Sequence, residues 1–388
     1  MLDTSSFEST GLYVHWPFCS AKCPYCDFNS YVSDQVDAFR WLRAYQSELS
    51  RLASEMPSRT LTSVFFGGGT PSLMDPEIIA ELLNQLACHW KIASDIEITV
   101  EANPSSVDNQ KFQDFRAAGV NRLSLGVQAL NDKDLARLGR QHTTAESLEA
   151  IAISRQCFDR VSIDVIYGRQ HQTVTDWEQE LASVLSFGLD HLSLYQLTIE
   201  PRTAFGDRFA AGKLNGLPDE QCAVDMMHLN YSACDDAGLS AYEVSNFARP
   251  SEQSRHNLTY WRCGDYLAIG PGAHGRVSIE DTRYATETVK LPEFWLRSVE
   301  TGVGAEARRR LSTSEQATEY LIMGLRLVEG IDRHRYEKLA GVPIAESSIA
   351  ALQDLDLIEP SAGRLATTRR GAMLLNAVIS ELLPTNSR

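Results

Sequence analysis

The 388-residue chain has no run of ~18 or more apolar residues, so no segment is long enough to cross a bilayer as a helix. Its first residues, Met1-Leu2-Asp3-Thr4-Ser5-Ser6-Phe7-Glu8, have neither the basic segment nor the apolar core of an export signal. Positive charge is also short: 36 Lys and Arg stand against 51 Asp and Glu, a net of −15. That balance argues against phosphate-backbone binding as the main task. Unpaired thiols without an export signal imply a reducing compartment, and the expectation is the cytoplasm. With 43% hydrophobic and 22% charged residues the chain can still bury a sizeable core. Its length admits a barrel that takes up most of the molecule as one unit.

Three of the eight cysteines fall within eight residues, Cys19-Ser20-Ala21-Lys22-Cys23-Pro24-Tyr25-Cys26. A tight loop can turn three such sulfurs toward one soft metal centre, because thiolates select zinc, copper(I) or iron–sulfur clusters over hard ions. Iron–sulfur cubes normally take four cysteines, so a set of three leaves one corner for chemistry. A zinc site completed by a fourth ligand from elsewhere is the alternative. Cys88, Cys157, Cys222, Cys234 and Cys263 show no ligand spacing and read as ordinary buried small residues.

Short apolar runs recur along the chain, at Leu12–His15, Ser63–Phe66, Ile96–Glu101, Arg122–Gln128, Val161–Ile166 and His191–Gln196, each followed by a longer helical stretch. Between Ser33 and Met56 the helical spacing is carried by Val36, Phe39, Leu42, Tyr45, Leu49 and Leu52. Alternating βα units imply a parallel sheet or barrel, in which function collects at the carboxyl ends of the strands. There the sequence places the cysteine loop, then Gly67-Gly68-Gly69-Thr70-Pro71, Glu101, Gln128 and, late in the fifth strand, Asp164. Three glycines alone are more often a plain turn; beside the other four features they suit a ligand that approaches bare backbone.

From about residue 306 the texture changes. Arg308-Arg309-Arg310 reads as a solvated linker. Ser312-Thr313-Ser314-Glu315 has the form of a capping box opening a helix through Leu327. Leu357–Pro360 and Arg364–Thr367 flank Ser361-Ala362-Gly363 as a hairpin, and a last apolar helix runs from Gly371 to Leu383. Helices and a hairpin suggest a small winged-helix-like domain. Its 11 Lys and Arg against 11 Asp and Glu give no basic face, so no nucleic-acid partner is expected.

The C-x3-C-x2-C spacing with Tyr25 before the last cysteine, preceded by Tyr13-Val14-His15-Trp16-Pro17-Phe18, resembles the radical S-adenosylmethionine (SAM) superfamily. The resemblance implies a [4Fe-4S] cluster held by Cys19, Cys23 and Cys26, with the amino and carboxylate groups of SAM on the fourth iron. It also implies electron transfer from the reduced cluster that cleaves SAM to methionine and a 5′-deoxyadenosyl radical. Gly126-Val127-Gln128-Ala129-Leu130, Ile163-Asp164-Val165-Ile166-Tyr167-Gly168, the glycine run and the C-terminal region resemble the coproporphyrinogen III oxidase-like branch over nearly the whole chain. The implied fold is α/β: a partial (β/α)6 barrel over residues 1–305 and a mainly helical, winged-helix-like domain over 306–388, serving packing or partner docking.

By the same resemblance, Gly68, Gly69 and Thr70 hold the methionine end of SAM, the glycine carbonyls meeting its ammonium. Glu101 and Arg140 surround its polar groups, Gln128 and Asp164 take the ribose, and Tyr13 and Tyr25 pack near cluster and nucleoside. On sequence alone the alternative for Arg140 is a surface helix arginine. No residue is assigned to catalysis.

The branch divides in two. True oxygen-independent coproporphyrinogen III oxidases carry a further cysteine two positions after the third ligand, where this chain has Phe28, and an N-terminal extension where only about a dozen residues precede the first strand. Cys-Pro-Tyr-Cys-Asp-Phe, Cys23 to Phe28, resembles instead the HemW-type haem chaperones. So does Arg255-His256-Asn257-Leu258-Thr259-Tyr260-Trp261, which matches their H-N-x-x-Y-W motif. Imidazole is a common axial ligand to haem iron and tyrosinate a rarer one, and an indole offers a flat apolar surface to a macrocycle. His256, Tyr260 and Trp261 are therefore the haem-binding candidates, with packing as the alternative role; His274, in Ala268–Gly275, is a lesser ligand candidate. The resemblance implies haem delivery to haemoproteins of the respiratory chain, peripheral docking at the membrane, and an assembly that includes a cofactor-dependent homodimer. The competing readings are the oxidase, a radical-SAM decarboxylation of propionate side chains, and a zinc-stabilised binding protein.

Overall fold

The computed structural model describes residues 9–33, 35–361 and 363–383. The N-terminal stretch read for an export signal and Ala362 of the expected hairpin turn lie outside the described residues. All six apolar runs are strands: β1 Ser9–Trp16, β2 Thr60–Gly68, β3 Lys91–Ala102, β4 Arg122–Gln128, β5 Arg160–Tyr167 and β6 His191–Gln196. They pair in parallel and in sequence order. Helices α1 Ala38–Glu55, α2 Pro76–His89, α3 Asn109–Ala117, α4 Asp132–Arg137, α5 Thr144–Cys157 and α6 Val174–Ser186 make the crossovers. Six of the seven residues of β4 are buried, as expected of a strand covered on both faces.

The sheet continues past both ends of this unit. On one side β6 pairs antiparallel with β8 (Asn246–Ala248), which pairs with β7 (Ser240–Ala241). On the other, β9 (Asp265–Ile269) lies parallel to β1 and leads through β10 (His274–Ile279) and β11 (Thr282–Thr288) to β12 (Glu306–Arg310). The result is a 12-stranded open sheet in which β7 and β12 form the two edges. The partial barrel expected from the sequence is present, with six added strands.

Three local expectations change. The buried face of α1 is Trp41, Ala44, Tyr45, Glu48, Leu49, Leu52 and Ala53, while Phe39 is 70% exposed. Trp41 sets that face, stacking on Trp295 at 5.4 Å and meeting Trp16 and Phe18 edge-on. Arg308-Arg309-Arg310 is an edge strand rather than a linker: its backbone pairs with β11, and its side chains find Glu55, Glu306 and Glu315. Of the scattered cysteines only Cys234 is buried; Cys88 is exposed and the others are half-buried.

A second core forms beyond this sheet around Tyr320, Leu321, Leu325, Ile331, Tyr336 and Val378. Its first helix, α10 (Thr313–Gly324), opens on the expected capping box between Ser312 and Glu315. The hairpin is present as Ile358–Ser361 against Arg364–Thr367, joined by Ile331–Asp332 in a three-stranded sheet. The last helix is broken at Leu374 into Arg369–Met373 and Leu375–Leu382.

Candidate cluster and cofactor site

Parallel register brings the carboxyl ends of the strands level, pairing Trp16 with Gly68, Phe66 with Val100, Ala102 with Leu125 and Gly126 with Asp164. The cysteine loop leaves this rim from β1. Its backbone is held by Gly69 N–H on the Trp16 carbonyl (2.7 Å), Thr70 N–H on that of Phe18 (2.8 Å) and Phe205 N–H on that of Pro24 (2.8 Å). Cys19, Cys23 and Cys26 are all half-buried, unpaired thiols. Burial pushes the Cys19 and Cys26 thiols up. Among the described residues no three His, Cys, Asp or Glu side chains converge on a point for one metal ion; a cube holds its thiolates at separate corners and needs no such convergence.

The glycine run also has a packing role. A Cβ on Gly68 would lie 2.5 Å from the His15 ring and one on Gly69 2.6 Å from the Phe18 carbonyl oxygen, and Gly68 has φ +114°. These glycines let the end of β2 pack directly under the cysteine loop. The Gly68 N–H points inward and donates to Glu101 Oε2 (3.1 Å).

Arg140 is not a surface arginine. It reaches back from the segment after α4 to Cys23 Sγ (3.5 Å), the Gly126 carbonyl (2.9 Å) and Asn103 Oδ1. Its Nε is buried without a partner. Asn103 continues the chain of contacts to Thr70 Oγ1 (3.0 Å). Sequence reasoning missed Asn103; the available signal was its position two residues after Glu101, at the same strand end. Gln128 has φ 69°, in the left-handed region, and sits at a register shift between β4 and β5. A non-glycine residue held there marks a site where surrounding structure fixes the backbone. Ser124 Oγ donates to Asp164 at 3.3 Å to either oxygen, and Ser193 supports the same carboxyl group. Tyr25 packs toward Phe205, ring centres 6.5 Å apart, with Leu138 and Ile166 close by.

Burial, and then the charge of Asp164, push Glu101 up to about 8 despite the Gly68 N–H. Burial raises Asp164 as well, against its serine partners and Arg122. Two neighbouring half-buried acids line this space, Glu101 with a backbone N–H as its hydrogen-bond donor and Asp164 with its serines and the Arg122 charge. That is a complementary environment for a cationic ligand. The guanidinium beside Cys23 and its unmatched Nε suit anionic groups at the adjoining loop. The donor set therefore fits both a thiolate-bound cluster and a ligand carrying ammonium, sulfonium and carboxylate.

The His256 motif lies deeper. Helix α8 (Arg255–Trp261) is capped by Ser254, and Glu97 accepts from the backbone N–H of Arg255 (3.1 Å) and His256 (3.0 Å). The His256 ring sits at the level of Ser63 and Gly11, five residues before the rim residue Gly68, or about 16 Å below it. His256 is 1% exposed, and both ring nitrogens are engaged, by Ser63 Oγ (2.8 Å) and the Tyr260 hydroxyl (2.5 Å). Burial lowers it to about 3, so it is neutral. His256, a haem-binding candidate from the sequence, thus has both ring nitrogens engaged by hydroxyls of the folded chain. Trp261 faces elsewhere, under the Arg326 guanidinium (4.5 Å) beside Tyr242, Leu258 and Leu327, and so lies at the junction with the C-terminal region. Of the three, His256 reaches the inner cavity only, and Tyr260 lines the inner cavity and the mouth. Tyr260 borders both a 190 Å³ cavity with Tyr13, Glu101, Asp164 and His256, and a 710 Å³ cavity at the mouth with Tyr13, Gly68 and Glu101.

A family model for the radical SAM superfamily matches residues 13–184, and one for the HemN C-terminal domain matches residues 311–374. Radical S-adenosyl methionine domain-containing protein 1, mitochondrial, of Bos taurus is 37% identical over 388 residues, covering 97% of this chain and 88% of that protein. Heme chaperone HemW of Haemophilus influenzae is 34% identical over 386 residues, 96% of this chain and 97% of that one. The solved structure of the Escherichia coli coproporphyrinogen III oxidase HemN, described as a radical SAM enzyme, superposes with a TM-score of 0.81 at 23% identity, over 97% of this chain and 91% of that chain. At that identity the likeness to HemN speaks for the fold, whereas the full-length relatives speak for kinship. The chain belongs to the radical SAM superfamily and, within its coproporphyrinogen III oxidase-like branch, to the HemW-type family.

Proposed function

We propose that the protein is a haem chaperone: Cys19, Cys23 and Cys26 hold a [4Fe-4S] cluster, SAM binds at the rim, and haem is received and passed to haemoproteins of the respiratory chain. The observation that carries this reading is the full-length kinship with proteins named heme chaperone HemW. Phe28, 57% exposed where true oxidases have a cysteine, supports it against the oxidase. Bound cluster and SAM would supply one-electron cleavage of the sulfonium. Tyr13, Tyr25, Gly68, Gly69, Thr70, Glu101, Gln128, Arg140 and Asp164 are the residues we assign to SAM. We further propose a cytoplasmic protein that meets membrane recipients by peripheral contact; among the described residues no helix is long and apolar enough to cross a membrane. A homodimer that depends on the cofactors is part of the same proposal.

The roles follow from the chemistry of each group. Arg140 stabilises negative charge on Cys23 and orients carboxylate groups. Glu101 receives the cationic end of the ligand, and Gln128 and Asp164 present amide and carboxylate to its hydroxyl groups. His256 and Tyr260 brace the floor beneath Tyr13.

Glu101 yields a pH prediction. In the free protein its folded value of about 8 lies above the ordinary carboxylate value of 4.5, so the folded state binds the extra proton. Stability from this group is thus full at low pH and declines as pH rises from about 5 to 8. A cationic ligand must displace that proton. Affinity for SAM should therefore rise up to about tenfold per pH unit toward pH 8 and then level off. Glu101→Gln should bind weakly with no such slope. Calorimetric titrations from pH 6 to 9 read this; a flat wild-type profile refutes it. The chaperone reading is tested by haem titration beside an assay for coproporphyrinogen decarboxylation: it requires specific haem binding and no decarboxylated product.

A further inference from the structure

Three histidines border the two rim cavities: His15, His256 and His274. His15 is occupied at both ring nitrogens, by the Tyr13 hydroxyl (2.9 Å) and the Asn29 carbonyl (2.9 Å). His256 is likewise saturated by Ser63 and Tyr260. His274 differs. Its side chain is 54% exposed, and the Glu287 carboxylate stands 3.8 Å from Nε2, beyond hydrogen-bond distance. Among the described residues no hydrogen bond holds either ring nitrogen. Metal-bound imidazoles commonly have a carboxylate near the second nitrogen to fix tautomer and orientation, and Glu287 is the direct cross-strand partner of His274.

The surroundings suit a large, flat, anionic macrocycle. The 710 Å³ space lies within the size range of ~300–1,000 Å³ for ligand sites. Besides the inner wall already assigned to SAM, it is lined by Phe28, Tyr266 and Met323, with Asp27, with Lys22, which donates to the Ser30 carbonyl (3.2 Å), and with Lys290, paired with Glu287 (3.3 Å). Met323 comes from the C-terminal helix α10, and its position is fixed. Arg276 binds Glu319 (2.8 Å). His274 lies two residues from Arg276 on the same face of β10, and Met323 one turn from Glu319 on the same face of α10. The pair of elements therefore presents an imidazole and a thioether to one cavity. Asn29 and Tyr31 bond to the carbonyls of Pro271 and Lys290, tying this wall to the loop that carries the thiols.

We infer that haem is seated in this mouth cavity with His274 as its protein ligand to iron, Lys22 and Lys290 meeting the propionates and Phe28, Tyr266 and Met323 covering the ring. This deepens the chaperone reading and rests on it. It separates the haem ligand from the His256 motif, which then supports the barrel interior.

The test is an anaerobic titration of cluster-reconstituted full-length protein with haem, read by Soret position and by affinity. The wild type is set beside His274→Ala, Lys290→Glu and His256→Ala. Both first positions are exposed, so those variants should keep wild-type circular dichroism. His274→Ala should lose at least tenfold in affinity and shift the Soret band, Lys290→Glu should lose several-fold, and His256→Ala, if folded, should keep the wild-type Soret position. Wild-type behaviour of His274→Ala, or a Soret shift seen only in His256→Ala, overturns this seat while leaving haem binding standing. Absence of specific haem binding by the wild type overturns both.

Discussion

Replacing Cys23 by serine takes the iron content of anaerobically reconstituted protein from about four per chain to near zero and leaves the fold intact. Serine is a poor, hard ligand, and two remaining thiolates cannot hold a cube whose fourth corner is already given to a small molecule. The fold survives because the loop is pinned through backbone groups of residues 16, 18 and 24 rather than through the sulfur. The half-buried thiol also carries little of the core. Cys88→Ser, at an exposed position outside the loop, should keep its full complement of iron and sulfide. Elemental analysis with far-ultraviolet circular dichroism decides the matter. Iron retained in Cys23→Ser, or near-stoichiometric zinc without sulfide in the wild type, contradicts a cluster on this loop.

Arg169→Ala should be the most destabilising single substitution away from the cofactors, by about 3–5 kcal/mol. Arg169 is 3% exposed and donates to Asp134 (3.0 Å), to Glu180 and to the Ile166 carbonyl. Glu180 in turn accepts the Leu130 N–H (2.6 Å) and the Gln172 amide (3.2 Å). Removing the guanidinium strands Glu180 in a poorly hydrated place, where it keeps its desolvation penalty and loses its counter-charge, and leaves Asp134 with Arg137 alone (3.1 Å). The consequence reaches the site, because Leu130 follows the strained Gln128 turn and Asp134 belongs to the helix that leads into Arg140. Urea unfolding should show the full loss for Arg169→Ala and a smaller one for Arg169→Lys, which keeps the charge without the fork. A loss under about 1 kcal/mol in the alanine variant contradicts this account of the network.

The strands were legible because each is an apolar run ended by glycine or a polar residue, and the rim residues could be named because parallel strands carry their chemistry at one end. The cysteine spacing was legible for the same local reason. What the sequence hid is tertiary. Phe39 has the right spacing for a buried face, yet Trp41 wins that face because Trp295, more than 250 residues away in sequence, offers it a stacking partner. Arg308-Arg309-Arg310 reads as solvated charge until Glu55 and Glu306 neutralise it and β11 offers its edge. His256 has the composition of a ligand, but Ser63 and Tyr260 saturate its ring, and neither bond is visible before the chain folds. Asn103, Ser124 and Ser193 are ordinary residues in sequence and become part of the site only through register.

The measurement closest to the central claim is the haem titration of cluster-reconstituted, anaerobic protein, followed in the same sample by incubation with coproporphyrinogen III, SAM and a reductant. The account predicts saturation at one haem per chain with a defined Soret band, and coproporphyrinogen recovered unchanged. No saturable haem binding, together with loss of carbon dioxide from the propionate side chains, would contradict it and make the protein an oxidase.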